Sequence, residues 1–291
     1  MSARIRIGNQ TAISSASLTA PFEFALRHGF DAFEWFEDKK TYPDGRSAGW
    51  DESDLDGPAR AELREAGRDH DVLFTVHAPW RANPLRPGGP ELLARSIDLA
   101  RDLGAALVNL HLYMDEGAEG YVRALAPVVR YAAGAGLLVS VENTPQTAPA
   151  DFNDTFALLR HFDGVPPEAV GMCLDVGHAN LCAETHNDFV HYLDRLAPEV
   201  PIIHVHAHEN YGDADSHLTL FTGPSAADDA GIRAFVERLR RQAYRGAVIL
   251  EQWPNPPRLL VEAAMRLRAL LERRAIPSKD TLGKPRKKVS G

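Results

Sequence analysis

Cysteine is nearly absent: Cys173 and Cys182 are the only two in 291 residues, nine apart and in no paired motif. Neither a disulfide framework nor a cysteine-rich zinc site is therefore supported. Long hydrophobic runs are missing too. Nowhere do eighteen apolar residues follow one another, and Met1 to Gly8 holds no apolar core of signal-peptide length, so a cytoplasmic protein with no membrane partner is expected. Basic charge is also short, with 32 Lys and Arg against 40 Asp and Glu and a formal charge of −8. That balance argues against a generally basic nucleic-acid binder, while leaving room for a local basic groove. A chain 44% hydrophobic and 25% charged has ordinary globular composition and length for one large core or two domains.

Short strand-like runs alternate with segments whose apolar residues recur at three and four. The strand candidates are Arg4 to Gly8, Ala32 to Phe36, Val72 to His77, Ala106 to His111, Leu137 to Glu142, Gly171 to Asp175, Ile202 to His206 and Ala247 to Glu251. Helical patterns fill the intervals, among them Gly57 to His70, Pro90 to Leu103, Ala118 to Ala133, Asp154 to His161, Asp188 to Leu196 and Ala227 to Arg241. Asn153 or Asp154 reads as a helix start, and Gly104, Gly134 and Gly136 follow helical runs. Eight strands with eight helices predict an α/β fold, a single (β/α)8 barrel over residues 1–275; a doubly wound open sheet is the rival. Residues 276–291, with Lys284, Arg286, Lys287 and Lys288, have almost nothing to bury and read as a flexible basic tail.

Histidine is abundant, twelve in all, and its placement is the main functional signal. Six successive strand candidates end on a side chain able to bind metal: His77, His111, Glu142, Asp175, His206 and Glu251, at intervals of 34, 31, 33, 31 and 45 residues. A barrel gathers such ends around one mouth. Carboxylates ending apolar runs are costly to bury unpaired, and a divalent cation satisfies them together with imidazole. His204, His206 and His208 share a strand face by period two, with His204 one layer deeper. Asp175-Val-Gly-His178 and Asp215-Ser-His217 enlarge the candidate site. His28, His70, His161, His186 and His191 sit on helices or their edges and read as surface or packing residues.

As an ordered set, Phe74-Thr-Val-His-Ala-Pro-Trp80, Val108-Asn-Leu-His111, Val141-Glu-Asn-Thr144, Cys173-Leu-Asp-Val-Gly-His178, His204-Val-His206, Asp215-Ser-His217 and Leu250-Glu251 resemble the xylose-isomerase-like TIM-barrel superfamily, which includes sugar isomerases and epimerases and apurinic/apyrimidinic endonucleases. The resemblance implies a four-ligand mononuclear centre at Glu142, Asp175, His206 and Glu251, with His178 on the substrate side. The endonuclease branch implies a trinuclear centre that adds His77, His111, His178, Asp215 and His217. Ala207-His208-Glu209-Asn210 departs from the family, where a lysine or asparagine and then an aspartate are common. So does Leu-Thr-Leu-Phe-Thr-Gly-Pro after His217, which lacks the usual Gly-x-Gly.

The leading expectation is a divalent-metal-dependent isomerase or epimerase of a small sugar or polyhydroxylated carbonyl compound, moving a proton through a metal-stabilised enediolate. Glu142 and Glu251 form the acid/base pair, and His178 polarises an oxygen. One ion is favoured and two or three remain open, with Mn, Zn, Co, Fe, Ni and Mg all chemically suitable. Trp80, Arg81, Asn143 and His208 are candidates for substrate contact, with loop orientation the alternative for Asn143 and a supporting structural role the alternative for His208; Trp35, Phe36 and Trp253 are weighed as pocket walls against core packing. The alternative is a multinuclear-metal endonuclease or related hydrolase or lyase, for which Arg46, Arg81 and Arg86 make only a sparse basic set. Homo-oligomers are compatible with either chemistry.

Overall fold

The computed structural model describes residues 4–273; the basic tail lies outside the described residues. Among the described residues ten strands form, in chain order: β1 (Arg6–Gln10), β2 (Ala32–Phe36), β3 (Lys40–Thr41), β4 (Ser47–Ala48), β5 (Leu73–His77), β6 (Leu107–His111), β7 (Leu138–Glu142), β8 (Val170–Asp175), β9 (Ile202–Ala207) and β10 (Ala247–Leu250). Eight close into one barrel in the order β1-β10-β9-β8-β7-β6-β5-β2, all neighbours parallel. The other two, β3 and β4, make an antiparallel hairpin in the loop after β2. The helices are α1 (Ala20–His28), α2 (Gly57–Asp69), α3 (Gly89–Leu103), α4 (Gly117–Gly134), α5 (Pro149–Leu159), α6 (Val176–Leu181), α7 (Phe189–Asp194), α8 (Ala230–Arg241) and α9 (Arg258–Leu271). The (β/α)8 barrel expected from the alternation is the fold.

Among the differences from the sequence expectation, three have a clear local reason. The first strand is Arg6–Gln10 rather than Arg4 to Gly8, because Gly8, Asn9 and Gln10 pair with Ala32, Phe33 and Glu34. Helix α5 begins at Pro149, not at Asn153 or Asp154: the Asp151 carboxylate accepts the Ala148 N–H at 2.7 Å, and proline suits the first helical turn. Asn153 instead accepts the Ala197 N–H at 2.7 Å and donates to Arg195 O at 3.0 Å. A short helix, α6, follows β8 directly, capped by Asp175, whose carboxylate accepts the His178 N–H at 2.6 Å.

Alternation along the strands divides the barrel in two. Outward residues form the apolar layer beneath the helices, as where Trp35 packs against Phe22, Phe33, Phe74 and Trp50 with ring centroids 4.8–5.9 Å apart. Trp35 is thus a core residue and no pocket wall. Inward residues change character with depth. Ala32, Ala247 and Ile249 are fully or almost fully buried at the base. Above them lies a polar layer in which the Thr75 hydroxyl donates to Glu34 at 2.9 Å and the Ser140 hydroxyl donates to Asn109 at 2.7 Å. The strand ends with His77, His111, Glu142 and Asp175 come next.

Glu37, just beyond β2, ties the mouth loops to the helices. Its buried carboxyl accepts from Ser96 of α3 and, at 3.1 Å, from the Glu52 N–H. Burial pushes its pKa up to about 8, with the Ser96 hydrogen bond a partial offset. The native state therefore binds this proton more tightly than an unfolded chain with a pKa near 4.5, and stability falls as pH rises through that window. Glu37→Gln keeps an acceptor and a donor without charge. Melting temperatures measured from pH 5 to pH 8 should fall less steeply in this variant than in wild type; parallel curves would show Glu37 to be ionised throughout.

Candidate metal centre

The strand ends converge on Glu142, which is fully buried. Its Oε2 lies 3.1 Å from His77 Nε2 and 3.2 Å from His206 Nδ1, and it accepts from the amide of Asn109. Its Oε1 lies 3.3 Å from His178 Nδ1 and 3.7 Å from His111 Nε2. His206 Nδ1 also stands 3.5 Å from Glu251 Oε2 and 3.8 Å from Asp175 Oδ2. One donor atom each from Glu142, Asp175, His206 and Glu251 lies within 4.8 Å of the other three. Two metal–ligand bonds of about 2.1 Å span roughly 4.2 Å, so the three distances from His206 already match a shared small cation.

A second group, His178, His208, Asp215 and His217, meets the same 4.8 Å criterion, as does a third, His77, Glu142 and His206. Asp215 Oδ2 is 3.2 Å from His178 Nε2 and 3.2 Å from His217 Nε2. The loop after β9 delivers these side chains because it folds back on itself. Glu209 and Leu218 exchange both backbone hydrogen bonds at 2.8 Å, while the Glu209 carboxylate accepts from Gly223 N at 3.1 Å and Ser225 N at 2.9 Å. Glu209, at a departure from the family pattern, is a loop clamp.

The electrostatics follow from crowding charges in a dry space. Burial alone would raise the Glu142 carboxyl, yet the neighbouring imidazoles of His206, His111 and His178 hold it well below the usual carboxylate range. Glu251 goes the other way: burial raises it more than His206 and His217 lower it. Burial pushes His111 down to about 4, whereas His217, despite its burial, is carried up to about 9 by Asp215 and Glu251. Glu142 Oε1, Glu251 Oε2 and His206 Nδ1 are buried with no aligned hydrogen-bond partner among the described residues. Donor atoms this close, with no aligned hydrogen bond between them, suit a cation.

A model of the xylose isomerase-like TIM barrel matches residues 22–270. The chain belongs to this family. An uncharacterized protein of Methanocaldococcus jannaschii, MJ1311, is 26% identical over 251 residues, covering 81% of this chain and 79% of its own length. A D-tagatose 3-epimerase-like protein has a similar structure, with a TM-score of 0.71, 22% identity, and coverage of 92% of this chain and 98% of that one. An L-ribulose 3-epimerase gives a TM-score of 0.64 at 18% identity, covering 93% and 95%.

Within this xylose isomerase-like barrel, the four expected substrate contacts fare differently. Trp80 is exposed at the rim, and Arg81 donates to Lys39 O at 3.2 Å. Asn143 is committed elsewhere: its amide donates to Asp175 O at 2.9 Å and accepts from Asp175 N at 2.8 Å, so it orients Asp175. His208 is fully buried among the donors, with Nε2 3.1 Å from Asp175 Oδ1 and its ring stacked on His217 at 3.9 Å. Trp253 packs edge-on against Phe24, while the Phe36 ring lies 4.5 Å from that of His77. Sequence reasoning missed Glu34 and Asn109, both fully buried in the polar layer beneath the strand ends. The signal was there, since each stands two residues before a strand's last inward side chain.

Gly177 matters because a Cβ there would lie 2.0 Å from the His208 ring. Gly177→Ala should cost about 1–3 kcal/mol, read from urea denaturation. Unchanged stability would show that His208 has room to swing away from Asp175.

Proposed function

We propose that the protein is a divalent-metal-dependent isomerase or epimerase of a small sugar or related polyhydroxylated carbonyl compound. The observation that carries this reading is the buried, mutually close set of Glu142, Asp175, His206 and Glu251 at the carboxyl-end mouth of the barrel. The D-tagatose 3-epimerase-like protein and the L-ribulose 3-epimerase, which share the fold, carry sugar chemistry in their names and support the substrate class by analogy.

A divalent cation bound by these four residues would polarise a substrate carbonyl and lower the cost of negative charge developing on it. The protein's own groups then move the proton. Glu142 from β7 and Glu251 from the end of β10 both approach His206 Nδ1, at 3.2 and 3.5 Å, and so flank one point. One takes a proton from the carbon beside the carbonyl and the other returns it, to the neighbouring carbon or to the opposite face. His178 from α6 lies against the other oxygen of Glu142, 3.3 Å from Oε1, and is held by a contact of 2.8 Å between Nδ1 and Asn143 O.

The second and third donor groups favour a multinuclear hydrolase or endonuclease as the competing reading. The charge of the mouth opposes it. Residues 37–56 carry seven acidic side chains against Lys39, Lys40 and Arg46, and residues 208–229 carry no Lys or Arg at all. Arg46 pairs with Asp44 and Arg86 with Asp115, at 2.7 and 2.9 Å. A DNA backbone needs the opposite sign.

Elemental analysis after purification without chelators should find one ion per chain; three would favour the hydrolase. Free ketoses incubated with the metal-loaded protein in deuterated water should take up deuterium beside the carbonyl, while a duplex with an abasic site should stay intact. Glu142→Gln or Glu251→Gln should slow exchange by roughly 10²- to 10⁴-fold with the circular dichroism spectrum retained. Near-normal exchange in either variant would remove that residue from the mechanism.

A further inference from the structure

We infer that Glu34 is a positioning residue for the metal centre, holding His206 so that Nδ1 faces Glu142, Asp175 and Glu251. The inference rests on the metal-centre reading above. Glu34 projects inward from β2, and His206 from β9, three strands away around the barrel, so they meet across its interior. Both side chains are fully buried. The two carboxylate oxygens have separate tasks. Oε2 bonds His204 Nε2 at 2.8 Å and accepts from the Thr75 hydroxyl at 2.9 Å. Oε1 has no aligned hydrogen bond and stands 2.8 Å from His206 Nε2, a charge contact off the line of the ring N–H.

Imidazole can offer only one nitrogen to a cation while the other keeps its proton. With a cation among the three carboxylates, which lie 3.2–3.8 Å from Nδ1, a fixed carboxylate beside Nε2 favours the proton there and frees the Nδ1 lone pair for the ion. Thr75 and His204 keep Glu34 from turning. A carboxylate present only to satisfy His204 would have no cause to set its second oxygen against His206. Glu34 touches no reacting atom in this arrangement, so its effect should appear in metal binding before turnover.

Co2+ is the probe, titrated into chelator-treated full-length protein, with affinity and the visible absorption band as readouts. Glu34→Ala should bind Co2+ roughly 10–100-fold more weakly with a shifted band. Glu34→Gln, which keeps an acceptor oxygen and the side-chain volume, should lose less and serves as the test if the alanine variant does not fold. His204→Gln, whose side-chain amide can still donate to Oε2 in place of the imidazole and so keep Glu34 in place, should stay close to wild type in both readouts. Wild-type affinity and an unshifted band in Glu34→Gln and in any folded Glu34→Ala overturn the inference. So does a loss in His204→Gln as large as in Glu34→Ala, which would mark a general effect on the barrel interior. Failure of wild type to bind Co2+ overturns the metal-centre reading itself, and the positioning role with it.

Discussion

The cost of burying charge at one end of the barrel governs the arrangement of this protein. Glu34, Glu142, Asp175, His204, His206 and His208 are fully buried, with His77 and Glu251 nearly so. An isolated ionised group in such surroundings carries a heavy desolvation cost. Here each carboxylate is placed against imidazoles, with Glu142 alone approached by His77, His111, His178 and His206. The pairing lets the charges stay. It also leaves Glu142 Oε1, Glu251 Oε2 and His206 Nδ1 close to other donors without aligned hydrogen bonds, an arrangement able to accommodate a cation.

Supporting residues make the arrangement specific. Asn143 fixes Asp175 through its backbone, and Asp175 in turn caps α6, so His178 is placed by the same carboxylate it approaches at 3.6 Å. His77 uses Nδ1 on Ala78 O at 2.7 Å and turns Nε2 toward Glu142. Glu209 clamps the loop that brings in Asp215 and His217. These contacts connect local chain geometry to the site directly: turn, cap and loop closure each aim one donor.

Much of this was legible in the sequence because a barrel converts a repeat into a place. His77, His111, Glu142, Asp175, His206 and Glu251 could be grouped without a local motif, since βα spacing put each at a strand end. What escaped was the layer below. Glu34 lies inside Ala32 to Phe36, which reads as an apolar strand with one charge, and nothing nearby in sequence announces His204, which is 170 residues away. Asn109 was hidden in the same way within Val108-Asn-Leu-His111. Helix boundaries were missed where side-chain partners decided them: Asn153 resembles a cap but bonds a distant turn, whereas Pro149 and Asp151 set the start of α5. For Asn143 and His208 position leaves substrate contact and a supporting role both open, and their buried hydrogen bonds and stacking give them work inside the scaffold.

The polar layer inside the barrel also disciplines strand pairing during folding. Because side chains alternate, a strand misaligned by a single residue would turn Glu34, Asn109 or His204 into the oily jacket and bring Trp35, Leu110 or Val205 into the lumen. An all-aliphatic lumen would penalise such a slip only weakly. In this molecule a misaligned β2, β6 or β9 strands a carboxylate, an amide or an imidazole, so the chemistry of the mouth helps proofread the sheet that carries it.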